Sequence, residues 1–356
     1  MKTCIVLGTR PEIIKLAPLI KKLGKKRCSV VFSGQHYDQK MSLQFIEQLG
    51  LPKPDYSLKI THSNPSYQIS EIIEKLHKIL IKEIPDNVVI QGDTNTVLAS
   101  GICAIKSEIP ICHVESGLRS YDWRMPEEHN RITIDHLSEH LFCPTNIAKN
   151  NLKLENVHGK IHVVGNTIID SVNMFSKISS KNSSISVHLD NFILTTIHRA
   201  ENVDNRRSLT EIIKGLINSK QDIIFPIHPR TKKRLNEFGL LNKLKNSDNI
   251  LLFDALGYFE MLELMKNCSF IVTDSGGIQE EATASSIQKK VLVIRKTSDR
   301  PESIHANMAQ LVKLDGKSIS KKINQTFLNP KFPRKTSPYG NGTTSQKIIK
   351  ILQKEF

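Results

Sequence analysis

The densest run of reactive side chains is HVESGLRSYDWRMPEEHNR, residues 113–131, in which Glu115, Asp122, Glu127 and Glu128 stand among Arg119, Arg124 and Arg131. Acid and base are crowded together there, the residue types that hold and pass protons. Most charged clusters are solvated ion-pair loops that contribute little. This one opens at the end of the apolar run Ile109 to Val114, which reads as a buried strand. It then passes through a Gly-containing loop into a helix begun by Pro126. Charged groups are therefore expected at the carboxyl edge of a parallel sheet, where open α/β folds bind ligands.

Five further stretches follow the same plan. In GTRPEIIK, residues 8–15, Gly8 allows close backbone approach, and Arg10, Lys15 and the N–H groups of the helix start suit a phosphate, although an ordinary strand-to-helix turn uses the same letters. In QGDTNTV, residues 91–97, Asp93 is either a helix cap or a catalytic carboxylate, expected next to Glu115. TTIHRAENVDN, residues 195–205, ends a strand in His198 and Arg199, and IHPRTKKR, residues 227–234, adds His228 and Arg230, with Lys232, Lys233 and Arg234 read as a basic helix face. TDSGGIQEEA, residues 273–282, offers the N–H groups of Ser275, Gly276 and Gly277 to a diphosphate and Glu280 or Glu281 to ribose hydroxyls, with Arg295 and Arg300 downstream. An N-capped helix explains those letters too.

The elements that must position these groups alternate strand and helix. Strands are expected at Thr3 to Leu7, Ser29 to Ser33, Asn87 to Gln91, Ile109 to Val114, Leu141 to Cys143 and Ile161 to Val164. A second series follows at Phe192 to Thr196, Ile223 to Pro226, Ile250 to Phe253, Phe270 to Thr273 and Val291 to Ile294. Such alternation implies right-handed crossovers and mostly parallel sheets. The Ser/Lys-rich SKISSKNSSIS, residues 176–186, reads as the linker between two α/β halves facing across a cleft. A length of 356 residues suits two domains, and 39% apolar with 24% charged residues suits a soluble protein. No run approaches a membrane span and the N-terminus enters a strand, so a cytoplasmic protein is expected. The six cysteines show no CxxC pair and read as buried free thiols. A net charge of +15 admits nucleic acid, an acidic membrane surface or a phosphorylated small molecule as partner, but much of it lies on Lys-rich helix faces.

GTRPEIIK, GQH, QGDTNT, HVESGLRS, PEEHNR, VGNTIID, HRAEN, HPRT, DSGGIQEEA and RPE, in this order over nearly the whole chain, resemble the non-hydrolysing UDP-N-acetylglucosamine 2-epimerases. The resemblance implies an α/β fold of two Rossmann-like domains of the glycosyltransferase-B type. Residues 1–170 would form the first domain, with a final helix at 343–356 packing back on it, and residues 171–342 the UDP-binding second domain. It implies inversion at C2 of UDP-GlcNAc to give UDP-ManNAc through 2-acetamidoglucal, with no NAD or metal cofactor. It also implies a UDP-sugar as ligand, no nucleic-acid or membrane partner, and a homodimer. Carried over residue by residue, the acid/base groups fall on Asp93, Glu115 and Glu127 and the catalytic histidine on His198. Arg10, Ser275, Gly276, Gly277, Glu281 and Arg300 match UDP-binding positions.

Two stretches depart from the family pattern. ATASSIQKK, residues 282–290, is longer than usual and lacks the family's Gly and Pro, so a different turn is expected. GQHYDQKM, residues 34–41, keeps Gln35 and His36 but not the QHREM of members activated by a second UDP-GlcNAc. The rival readings are an epimerase of a modified UDP-HexNAc, such as a uronate, and a nucleotide-sugar-binding protein without turnover. The second would have lost acid/base residues, and Asp93, Glu115, Glu127 and His198 are all present.

Overall fold

A computed structural model describes residues 1–34, 39–185, 189, 191–298, 300–333 and 335–356, with residues 39–43 described by backbone alone. Gln35 and His36 lie outside the described residues. The first elements are β1 (Thr3–Leu7), α1 (Arg10–Leu23), β2 (Cys28–Phe32), α2 (Gln39–Gln48), β3 (Tyr56–Ser57), α3 (Pro65–Glu83), β4 (Asn87–Gln91), α4 (Asn95–Lys106), β5 (Ile111–Val114), α5 (Pro126–Leu137), β6 (His140–Cys143), α6 (Asn146–Leu154), β7 (Lys160–Val163) and α7 (Thr167–Phe175). They are followed by α8 (Ser179–Asn182), β8 (Ile193–Thr196), α9 (Ala200–Val203), α10 (Arg206–Ser219), β9 (Ile223–Pro226), α11 (Pro229–Glu237), α12 (Leu241–Lys245), β10 (Ile250–Phe253), α13 (Tyr258–Asn267), β11 (Phe270–Thr273), α14 (Gly276–Glu281), β12 (Val291–Val293), α15 (Pro301–His305), β13 (Ala309–Leu311), α16 (Gly316–Leu328) and α17 (Thr344–Glu355).

The chain divides into two compact units, Met1–Ser171 with Tyr339–Phe356, and Val172–Pro338. In the first, the strand order is β3-β2-β1-β4-β5-β6-β7, in the second β10-β9-β8-β11-β12-β13, and every pairing is parallel. Strands such as TCIVL and FIVT are buried along their whole length because helices cover both faces, and a parallel strand so covered needs an unbroken apolar run. In both sheets the order reverses beside the first strand, between β1 and β4 and between β8 and β11. Connections leave a switch point on opposite sides, which opens a crevice at the carboxyl ends of those two strands.

The boundary between the units falls inside α7, upstream of the expected linker. Residues 176–186 are not a plain linker: the described part includes α8, which packs on α13. Ser179 is buried and donates its hydroxyl to Glu263 at 2.6 Å, so the serines that read as solvated chain find a carboxylate instead. The last helix returns to the first unit. Asp170 accepts from the backbone N–H groups of Thr344 (3.1 Å) and Ser345 (2.9 Å), filling orphan donors at the start of α17, which packs on α1. The segment 282–290 closes with Gln288 in the left-handed region (φ 53°), a conformation glycine would take without cost.

All six cysteines are free and buried, and burial pushes the thiols of Cys4, Cys28, Cys143 and Cys268 up to about 12. They are inert packing residues. Among the described residues no helix is long and apolar enough to cross a membrane, and no group of three His, Cys, Asp or Glu is placed to hold a metal ion.

Candidate active site

The first switch point is built on Gly8. A Cβ there would overlap the hydroxyls of Ser33 and Thr96, so only glycine lets β1 turn into α1 against the ends of β2 and α4. Arg10, exposed at the start of α1, carries its guanidinium 5.6 Å above the Phe45 ring. Lys15, one turn further, is committed elsewhere: its ammonium lies 2.5 Å from Glu115 Oε2, with 14% and 6% of the two side chains exposed. The expected phosphate ligand is thus the counter-cation of a buried carboxylate.

Glu115 follows β5 with φ at +70°, a backbone state that costs a non-glycine residue about 1–3 kcal/mol. The surroundings hold it there. Its N–H donates to Phe142 O at 3.0 Å, and its carboxylate also accepts from Gln91 Nε2 at 2.8 Å. Strain of this kind clusters at active sites, where the surrounding structure over-determines it.

Asp93 leaves the adjacent strand β4 after Gly92 (φ 84°). The cap of α4 is Thr94, which accepts from the Val97 N–H at 3.4 Å, so the capping alternative for Asp93 falls away. Its carboxylate instead meets Arg131, with Nε at 3.1 Å and Nη2 also bonded, and its carbonyl accepts from Asn130 Nδ2 at 2.8 Å. Both partners sit on α5.

The two neighbouring glutamates of α5 divide the work. Glu128 is buried and accepts from Ser120 N (3.0 Å), Ser120 Oγ (2.8 Å), Tyr121 N (2.8 Å) and Arg131 Nη1 (2.9 Å). Burial alone would raise its pKa, but these hydrogen bonds and the Arg131 charge take it below the ordinary value. It clasps the loop. Glu127 points into solvent in the same helical turn.

Beneath the site runs a buried network that motif reading did not single out. His113 Nδ1 lies 2.8 Å from Asp135 Oδ1 and its Nε2 2.8 Å from the Gly92 carbonyl. Asp135 also accepts from Arg119 Nη1 (2.7 Å) and Gly117 N (3.0 Å), and Arg119 is forked onto Glu155. This network fixes the turn after β5 and, through the Gly92 carbonyl, the turn that bears Asp93.

The second switch point centres on Asp274, fully buried at the end of β11. It accepts from the backbone N–H groups of His198 (3.0 Å) and Arg199 (3.0 Å) and from Asn202 Nδ2 (3.0 Å). His198 thus stands at the end of β8 beside the start of α14, where Ser275 caps the helix by accepting from Ile278 N at 3.4 Å and Gly276 and Gly277 form the first turn. Burial lowers the pKa of His198, and Arg199, His228 and Arg230 lower it further against the opposing pull of Asp274. The ring lies 5.5 Å from the ring of His228. Arg300 donates through Nε to Glu280 at 2.5 Å, so Glu280 is engaged by an arginine, while the neighbouring Glu281 is partly exposed.

The chain is similar to known 2-epimerases of UDP-sugars. A family model described as UDP-N-acetylglucosamine 2-epimerase matches residues 20–353. The UDP-N-acetylglucosamine 2-epimerase of Methanocaldococcus jannaschii is 44% identical over 99% of both chains. A crystal structure of the Methanocaldococcus jannaschii UDP-GlcNAc 2-epimerase in complex with UDP-GlcNAc and UDP superposes with a TM-score of 0.85 at 43% identity, covering 99% of this chain and 100% of that one. The Neisseria meningitidis UDP-GlcNAc 2-epimerase bound to UDP-GlcNAc gives 0.85 at 32% identity, with coverage of 99% and 100%.

Proposed function

The chain belongs to the UDP-N-acetylglucosamine 2-epimerase family, with two Rossmann-type units of the glycosyltransferase-B type of fold, and we propose that it interconverts UDP-GlcNAc and UDP-ManNAc. A carboxylate takes the C2 proton, the electron pair of that bond becomes the C1–C2 double bond, and the C1–O bond breaks to release UDP. The intermediate is 2-acetamidoglucal. A proton then returns to C2 on the opposite face, and a diphosphate oxygen of UDP adds back to C1. Atoms and charge balance without an external oxidant or reductant.

The observation that carries this reading is the pair of carboxylates on the adjacent strand ends of β4 and β5. Asp93 is held by Arg131, and Glu115 by Lys15 and Gln91. Elimination and re-addition need carboxylates that can exchange protons with carbon and cations that stabilise departing diphosphate. Asp93, Glu115 and the exposed Glu127 take the acid/base roles. His198 carries a proton or donates to phosphate. Arg10, the N–H groups of Ser275, Gly276 and Gly277, and Arg300 receive the diphosphate, and Glu281 receives the ribose hydroxyls. A reducing, cytoplasmic setting suits six free thiols. A homodimer is part of the same proposal.

Proton NMR of the protein with UDP-GlcNAc in deuterated water tests it. Formation of UDP-ManNAc with deuterium at C2 is expected. Binding of UDP-GlcNAc with neither epimer nor exchange would reject the reading in favour of a modified sugar or a binding function.

A further inference from the structure

Outside the groups assigned to proton transfer, one buried carboxyl reaches across the first switch point. Glu12 lies in the first turn of α1 with 2% of its surface exposed. Its Oε2 accepts from the backbone N–H groups of Gly8 at 2.6 Å and Thr9 at 3.3 Å, within the turn that carries Arg10. Its Oε1 accepts from Thr94 Oγ1 at 2.7 Å, in the turn that carries Asp93. We propose that Glu12 is a positioning residue for the reaction: it ties the Arg10-bearing turn to the Asp93-bearing turn and so fixes the Asp93 carboxylate relative to the anion-binding end of α1. This rests on the acid/base reading of Asp93.

The geometry makes the tie specific. Thr94 uses its hydroxyl in both directions, giving its proton to Glu12 and accepting from the Val97 N–H at 3.4 Å as the cap of α4. Asp93 is thereby held from two sides, by Asn130 and Arg131 of α5 on its own groups and by Glu12 of α1 through the residue that follows it. Burial pushes the Glu12 carboxyl up to about 7 against the hydrogen bonds it accepts. The tie survives titration. A neutral acid can donate from Oε1 to Thr94 Oγ1, which has a second lone pair, while Oε2 still accepts from Gly8 and Thr9. A glutamine can reproduce the same pattern with its amide; an alanine cannot.

The test compares Glu12→Ala, Glu12→Gln and Thr94→Val with wild type. It reads kcat and KM for UDP-ManNAc formation, together with amide hydrogen exchange over residues 8–10 and 92–97. Glu12→Ala is expected to lower kcat by about 30- to 100-fold, the scale of a small misplacement of a catalytic group, and to speed exchange in both turns. Thr94→Val should lower kcat by a similar factor with KM changed by less than about threefold, because the Gly8 and Thr9 contacts remain. Glu12→Gln should recover most of the lost turnover. The proposal is overturned if Glu12→Ala leaves kcat or exchange at 92–97 unchanged, or if Glu12→Gln is no better than alanine. If Glu12→Ala does not fold, Thr94→Val and Glu12→Gln decide it on the same readouts. If wild type makes no UDP-ManNAc, the epimerase reading fails, and the exchange data alone support or reject the tie.

Discussion

Replacing Lys15 by methionine separates two roles that its place in GTRPEIIK allows. The substitution keeps the stem and removes the ammonium 2.5 Å from Glu115 Oε2, in a pair of which little is exposed. Removing one partner of a buried pair costs about 3–5 kcal/mol when the other stays charged, because that charge is left without its counter-ion. The carboxyl can escape part of the cost by taking a proton, so the loss must depend on pH. An unfolded glutamate ionises above about 4.3 whichever residue stands at position 15. In the variant the buried acid prefers its neutral form, so the folded state binds more protons than the unfolded one, and stability declines as pH rises. The gap between variant and wild type should therefore widen from pH 5 to pH 8. Each kcal/mol is about 2–4 °C in a unit of this size, so a gap near 10 °C at pH 8 is expected, shrinking towards pH 5. Thermal melts at the two pH values measure it, and UDP titration calorimetry runs beside them. A gap that does not vary with pH, together with UDP binding weakened tenfold or more, would refute the reasoning and return Lys15 to the diphosphate.

Three other outcomes follow from the same geometry. Glu127→Gln should leave the melting temperature within about 1 °C while lowering kcat by about a hundredfold or more, whereas Glu128→Gln, which presents an amide N–H₂ to donors at Ser120 and Tyr121, should cost about 2–4 kcal/mol in a denaturant titration. His140 and His162 lie 3.3 Å apart, Nδ1 to Nε2, with the Phe356 ring 5.4 Å from His140 and Glu139, Lys160 and Glu355 as charged neighbours; burial holds both imidazoles below the ordinary value. Below about pH 6.5 the unfolded chain takes protons that the fold refuses, so stability present above that pH is lost beneath it, and melts from pH 7.5 to 5.5 should show a smaller acid loss for His140→Phe than for wild type. Asp274→Ala strips an acceptor from three donors, at about 1–3 kcal/mol each, and should lower kcat through His198 by more than it weakens UDP binding in calorimetry.

Long apolar runs made the central strands of both sheets readable, since a strand covered on two faces must be apolar throughout. Of the edge strands, β7 and β10 were readable and two were not: Tyr56–Ser57 and Ala309–Leu311 are too short to carry a period, and β13 is partly exposed. Side-chain types around Glu115 were legible, but their pairings were not, because His113, Arg119, Asp135 and Glu155 come from separate elements and meet only in the fold. Asp93 and Thr94 compete for one cap, and a hydroxyl next to an acid gives no local sign of which turns inward. Glu127 and Glu128 are likewise one residue and about 100° apart on α5. The separation was available in the helical period, since Glu128 shares a face with Arg131 and Asp135, three and seven residues on.

The two switch points solve one mechanical problem from opposite sides. At each, the chain leaves two adjacent strands in opposite directions, so no backbone ladder joins the turns that carry the reactive groups. A buried carboxylate supplies the join. In the first unit it comes from the β1 side, Glu12 reaching Thr94; in the second it comes from the β11 side, Asp274 reaching the backbone of His198 and Arg199. A carboxylate suits this place because its two oxygens accept from several donors at once, and bonds to a charged acceptor are the stronger kind. The same choice has an electrostatic consequence that differs between units. Asp274 opposes the depression of the His198 pKa, whereas Glu12 puts its carboxyl in the same β4–α4 turn as Asp93, whose own cation is Arg131. At the second switch point the buried acid that fixes the turn also opposes the loss of proton affinity in the histidine it positions, so placement and charge there come from one residue.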